Sequence, residues 1–143
     1  MLIQTKTEQE TKKVGKDIAA QLNGGDIILL FGDLGAGKTT LTKGIAEFFK
    51  ITDEITSPTF SLMNVYDIND RNGIKKIAHI DTYRLKDENE LIEIGIEDYL
   101  SDVDTICIIE WPEKIMGILK NRKVKKIKIT HINEQTREIV FEE

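Results

Sequence analysis

The stretch Gly32-Asp33-Leu34-Gly35-Ala36-Gly37-Lys38-Thr39 constrains the fold of this chain more than any other part, because it completes the pattern G-x-x-x-x-G-K-[ST]. Glycines at these places let the backbone take conformations closed to other residues, so successive N–H groups can point inward at phosphate oxygens. The helix that follows adds the positive end of its dipole. Lys38 neutralises charge on β- and γ-phosphates, and Thr39 offers its hydroxyl to Mg2+. A glycine-rich turn can match such a pattern by chance. Here, however, it lies between the apolar run Ile27–Phe31 and an amphipathic stretch bearing Leu41, Ile45 and Phe48. Strand, loop and helix in that order are what phosphate binding requires, and they predict a nucleotide-binding α/β fold.

The remaining segments agree with it. Thr7 and Glu10 form a capping box that opens a helix, whose apolar face (Val14, Ile18, Leu22) leads to a stop at Gly24-Gly25. Residues 26–31 read as a strand covered on both faces, 38–49 as a helix and 52–58 as a loop. Residues 59–68 and 74–82 read as strands joined by a turn at 69–73. Residues 88–99 read as short helical pieces broken near Gly95, and 105–109 as a buried strand. Pro112 opens a further helix ending near Leu119, and strands 124–132 and 137–142 close the chain as a hairpin around 133–136. A length of 143 residues suits one domain, 1–143. The expected class is α/β: a single P-loop NTPase-like domain with a mixed, mainly parallel sheet, flanked by helices and carrying β-hairpin additions.

Composition narrows the function classes. The longest apolar run, five residues, is far short of the ~20 of a membrane span, and the N-terminal stretch lacks the apolar core of a signal peptide. Cys107, the single cysteine, excludes an intrachain disulfide and a Cys-based zinc cluster, and reads as an inert core residue. The expected compartment is the cytoplasm. A net charge of −5 disfavours direct, backbone-driven binding of nucleic acid. The basic run at 120–128 is a local exception, read as a solvated strand edge or a contact patch.

A phosphate loop of this kind needs a carboxylate at the end of a neighbouring buried strand to hold Mg2+. Glu110 ends the run Ile106-Cys107-Ile108-Ile109, and Asp81 ends Ile77-Ala78-His79-Ile80; pattern alone does not rank them. No N-K-x-D segment for guanine is present, which favours ATP.

Four motifs in order, the loop through Thr40, Ser57-Pro58-Thr59-Phe60, His79-Ile80-Asp81-Thr82-Tyr83-Arg84-Leu85 and Glu110-Trp111-Pro112-Glu113, closely resemble the TsaE family. That family is the small ATPase component of bacterial tRNA threonylcarbamoyladenosine (t6A) biosynthesis, and the resemblance runs along essentially the whole chain. It implies a mixed-sheet P-loop fold, weak intrinsic ATP hydrolysis and association with TsaD and TsaB, with tRNA reached only indirectly. A monomer or weak oligomer is expected for the protein alone. Carried over by position, Leu34, Gly35, Ala36, Gly37, Lys38, Thr39 and Thr40 would hold the phosphates, with Thr39 and Glu110 on Mg2+. Lys38 and Asp81 would be catalytic, with Asp81 orienting the attacking water. Residues 57–60 resemble a switch segment, and Glu8 and Arg137 match positions lining the nucleotide site.

Other residues carry two readings each. Arg84 can stabilise developing charge or contact a partner or solvent, and Trp111 can contact a partner or cover the sheet edge. Pro58 shapes the switch or starts a strand, and His79 is structural or catalytic. The competing functions are a small-molecule P-loop kinase, for which no arginine-rich lid is evident, and a non-catalytic ATP-gated binding module.

Overall fold

The computed structural model describes residues 1–56, 58 and 61–143. Strands β1 (Leu2–Thr5), β2 (Ile27–Phe31), β3 (Met63–Arg71), β4 (Ile74–Asp81), β5 (Thr105–Glu110), β6 (Lys125–His131) and β7 (Arg137–Glu142) make one seven-stranded sheet. Its order is β1-β7-β6-β2-β5-β4-β3. The ladders β6–β2, β2–β5 and β5–β4 are parallel, and the antiparallel ladders lie outside them. The mixed sheet of the expected class is therefore present, with the parallel strands in the middle and a hairpin on each side.

The helices are α1 (Glu8–Ala19), α2 (Lys38–Phe48), α3 (Asn89–Glu93), α4 (Ile96–Leu100) and α5 (Met116–Leu119), the last preceded by a 3-10 turn at Pro112–Ile115. Side-chain alternation along the central strands explains the two layers. Ile28 and Leu30 of β2, with Ile106 and Ile108 of β5, pack against Val14 and Ile18 of α1 and Leu41 and Ile45 of α2. Ile27, Leu29, Cys107 and Ile109 point the other way, to Leu91, Ile96, Leu100, Ile115 and Leu119. Each such side chain contributes about 1.5–3 kcal/mol on full burial. Strands covered on both faces must be apolar throughout, which is why β2 and β5 read as continuous runs.

Cys107 is 1% exposed, and burial pushes its thiol up to about 12. It is expected to stay unreactive toward a colorimetric disulfide reagent at pH 8 until the chain unfolds. Prompt native-state reaction in a stopped-flow trace would contradict that placement.

Several boundaries differ from the sequence reading. Strand β1 was not anticipated: four residues are too few for a periodic signal, and pairing with β7 creates it. Helix α1 ends at Ala19, so Leu22 is buried from the connecting segment rather than from the helix face. The capping box forms, with Thr7 Oγ1 accepting from Glu10 N–H at 3.1 Å. Its return bond goes to the N–H of Lys6, one residue before the cap. Strand β3 begins at Met63 and runs through most of the expected turn, which tightens to Asn72-Gly73, both at positive φ. Strand β6 is interior, between β2 and β7, so the basic run is not a sheet edge; Lys125 within it pairs with Asp26 at 2.9 Å. Of the expected switch segment, Ser57, Thr59 and Phe60 lie outside the described residues; Pro58 is buried and its carbonyl accepts from Leu62 N–H. Among the described residues no helix is long and apolar enough to cross a membrane.

Candidate functional site

Because β2, β4 and β5 are parallel, their carboxyl ends share one edge of the sheet, the usual place for ligands in open α/β sheets. The loop after β2 turns there into α2, with Gly35 at φ 78° and Gly37 at φ 106°, values that only glycine takes without strain. Ala36 N–H bonds the carbonyl of Asp33 at 3.1 Å. The guanidinium of Arg137, at the start of β7, donates to the carbonyl of Ala36 at 2.8 Å and to that of Asn133 at 2.9 Å. It thereby fastens the last hairpin to the loop.

Lys38 opens α2 and is 6% exposed. Its ammonium lies 3.8 Å from Glu110 Oε1 and 3.9 Å from the centroid of the Trp111 ring. No hydrogen-bond partner for Nζ is present among the described residues. Desolvation pushes the Lys38 amine below its ordinary value, against the opposing pull of Glu110, Asp81, Glu113 and Asp33. A buried ammonium without a hydrogen bond is costly, and an entering polyanion would offset that cost.

Glu110 and Asp81 end neighbouring strands in register, at 3% and 4% exposure. Glu110 Oε2 lies 2.6 Å from His79 Nε2, and Asp81 Oδ1 accepts from Tyr83 N–H at 2.9 Å. Thr82 Oγ1 donates to the carbonyls of Glu110 and Trp111. Trp111 holds φ 59°, unusual for a bulky residue and worth about 1–3 kcal/mol of strain. The Thr82 bond and the Tyr83 ring, 5.0 Å away, retain it there.

These groups surround a cleft of about 420 Å3. Of the residues singled out from sequence, Glu8, Leu34, Gly35, Gly37, Lys38, Thr39, Thr40, Asp81, Glu110 and Arg137 line it. Ala36 does not: its side chain is buried beneath the loop in the core shared with α1 and α2. A second cleft of about 350 Å3 shares Glu8, Gly37, Thr40 and Arg137 with the first and extends past Thr7, Glu134 and Gln135. Both volumes are in the range of small-molecule sites. Arg84 is exposed.

Sequence reading did not place Tyr83 and Trp111 on the cleft wall. The signal was their position, two residues beyond Asp81 and one beyond Glu110, the carboxylates that end buried strands. Trp111 covers the Lys38 ammonium rather than the sheet edge. No group of three or more His, Cys, Asp or Glu among the described residues is arranged to hold a metal. A cation here would take its remaining ligands from phosphate and water, as Mg2+ does.

Comparison with known proteins agrees along nearly the full length. Residues 5–139 match the family model described as threonylcarbamoyl adenosine biosynthesis protein TsaE. The tRNA threonylcarbamoyladenosine biosynthesis protein TsaE of Bacillus subtilis is 38% identical over 137 residues, covering 96% of this chain and 82% of its own. The protein of the same name from Haemophilus influenzae is 47% identical over 93 residues, 65% of this chain and 56% of its own. The crystal structure of Bacillus subtilis YdiB matches with a TM-score of 0.76 at 32% identity, covering 99% of this chain and 83% of that one. Sequence, family model and fold thus converge, and the chain belongs to the TsaE family.

Proposed function

We propose that this TsaE-family protein, which takes part in t6A modification of tRNA, binds Mg2+-ATP in the cleft beside Lys38 and hydrolyses it weakly on its own. It acts as a cytoplasmic accessory component with TsaD and TsaB, and reaches tRNA only through them. The whole chain, 1–143, serves as one P-loop domain in this reading. The observation that carries it is the Lys38 ammonium, buried, without a hydrogen bond among the described residues, and lining a cleft beside a glycine loop.

The backbone of residues 34–39, the Lys38 ammonium and Thr40 hold the phosphates, while Glu8 and Arg137 line the adjoining part of the cleft. Thr39 and Glu110 supply hard oxygen ligands suited to Mg2+, which when bound neutralises charge on the β- and γ-phosphates. Asp81, fixed by the N–H of Tyr83, presents a carboxylate beside Glu110 that can orient an attacking water. Trp111 and Tyr83 wall the cleft, and the Trp111 ring covers the Lys38 ammonium.

Asp81→Ala separates hydrolysis from occupancy. It is expected to retain ATP binding in a calorimetric titration and to slow hydrolysis by about two orders of magnitude or more. TsaB and TsaD are expected to be captured by the wild-type protein in an ATP-dependent manner and to alter its hydrolysis rate. Association indifferent to nucleotide would refute the partner mechanism. An Asp81→Ala protein that still supports t6A formation would favour an ATP-gated binding module instead.

A further inference from the structure

The geometry points to His79 as a positioning residue: by holding one oxygen of Glu110, it keeps that carboxylate open toward the cleft and off Lys38. This inference rests on the reading of Glu110 as a Mg2+ ligand.

His79 lies on β4 opposite Ile108 of β5, and Glu110 comes two residues later on β5. Residues two apart on a strand share a face, so the imidazole and the carboxylate are diagonal neighbours on the side of the sheet that α2 covers. His79 is 0% exposed, and a void of about 10 Å3 beside it has Ile45, Ile77 and Ile108 in its walls. Its Nε2 is 2.6 Å from Glu110 Oε2, whereas Nδ1 has no partner among the described residues. Among the described residues the ring thus makes one polar contact, and that contact goes to the candidate metal ligand. An ionised carboxylate only accepts, so this contact requires the tautomer with the proton on Nε2.

Glu110 has two oxygens, and His79 and Lys38 are donors near them among the described residues. Oε2 is taken by His79 at 2.6 Å, while Oε1 stays 3.8 Å from Lys38 Nζ, outside hydrogen-bond range. In a site this dry, a carboxylate released from the histidine would close on the ammonium. Closure would occupy both groups at once: the lysine would lose its reach for phosphate and the carboxylate its reach for metal. The imidazole sets the spacing that leaves both available. Groups behind a metal ligand orient it in this manner, and their loss typically costs about 10–100-fold in metal affinity.

The test is a double-mutant cycle with His79→Ala, Glu110→Gln and the pair, read as Mg2+-dependent ADP affinity from titration calorimetry. His79→Ala is expected to weaken Mg2+-dependent binding about tenfold or more. In the Glu110→Gln background the same change is expected to have almost no further effect, and His79→Gln, which restores an N–H donor, to recover most of the loss. Long-range 1H–15N spectra of the nucleotide-free protein supply an independent readout: Nε2 carries the proton, and Glu110→Gln shifts its resonance. Equal losses from His79→Ala in both backgrounds would mean that the histidine only fills space, and would overturn the proposal. So would a folded His79→Gln protein no better than His79→Ala, or a proton on Nδ1 alone. If Glu110→Gln leaves the Mg2+ dependence intact, the metal role of Glu110 falls instead, and the proposal with it. Melting curves on each variant establish that it is folded.

Discussion

Lys38→Ala is expected to lose ATP binding by roughly two to three orders of magnitude while keeping its fold. Truncating one member of a buried charge pair commonly costs about 2–5 kcal/mol of binding, and each 1.4 kcal/mol is tenfold. The ammonium is nearly solvent-free, with Glu110 and Trp111 as its close neighbours, so water cannot replace it when phosphate arrives. In the nucleotide-free protein, burial makes the charged lysine expensive, so removing it spares a desolvation cost even as it deprives Glu110 and Asp81 of a nearby cation. The two effects oppose each other, and the melting temperature is expected to move by only a few degrees. Calorimetric titration and a thermal melt on the same sample check both halves. An unchanged affinity would remove Lys38 from the phosphate site.

The same lysine has a pH signature. Its folded-state value is lowered, while the unfolded amine keeps the ordinary value of 10.5. Between those two values the unfolded chain holds more protons, so this group makes stability rise with pH across that interval. ATP affinity is expected to move the opposite way, because in the proposed site binding uses the ammonium and would be lost as the folded amine deprotonates.

Gly44→Val is expected to destabilise the protein by about 3 kcal/mol, or roughly 10 °C in melting temperature. Helices α1 and α2 touch through their backbones. A Cβ on Gly44 would lie 2.1 Å from the carbonyl oxygen of Lys12, and one on Gly15 would lie 2.4 Å from that of Leu41. Neither obstacle is a side chain that can rotate away, so the helices must separate. Separation would strip Val14 and Ile18 from Leu41 and Ile45. It would also move Glu8, at the start of α1, away from the cleft that it shares with Lys38 and Thr40 at the start of α2. Weakened nucleotide binding is therefore expected alongside the lower melting point. A variant melting like the wild type would show that α1 and α2 are not held at this distance.

The central parallel strands were legible because burial on both faces demands unbroken apolar runs, a demand local to the segment. The loop and its lysine were legible because phosphate chemistry needs those residues at that spacing. Strand β1 was not legible, since its pairing partner is at the far end of the chain. Nor was the role of Gly15 and Gly44, because the contact that forbids a side chain belongs to a different helix. His79 and Trp111 each kept two readings in sequence. Their neighbours Glu110 and Lys38 are distant along the chain, and no local pattern encodes such a meeting.

By itself, then, the sequence determined most of the element types and the phosphate-loop motif, which follow from short-range periodicity and spacing, while Glu8 and Arg137 entered the candidate set only through the family resemblance. Tertiary structure decided their relations. The register of β4 on β5 brings Asp81 beside Glu110 and sets His79 within reach of it. The return of β7 brings Arg137 to the carbonyl of Ala36, 101 residues earlier. The physical reason is that strand register and crossover geometry are settled by which faces bury together. That choice is a property of the assembled core and of no single segment.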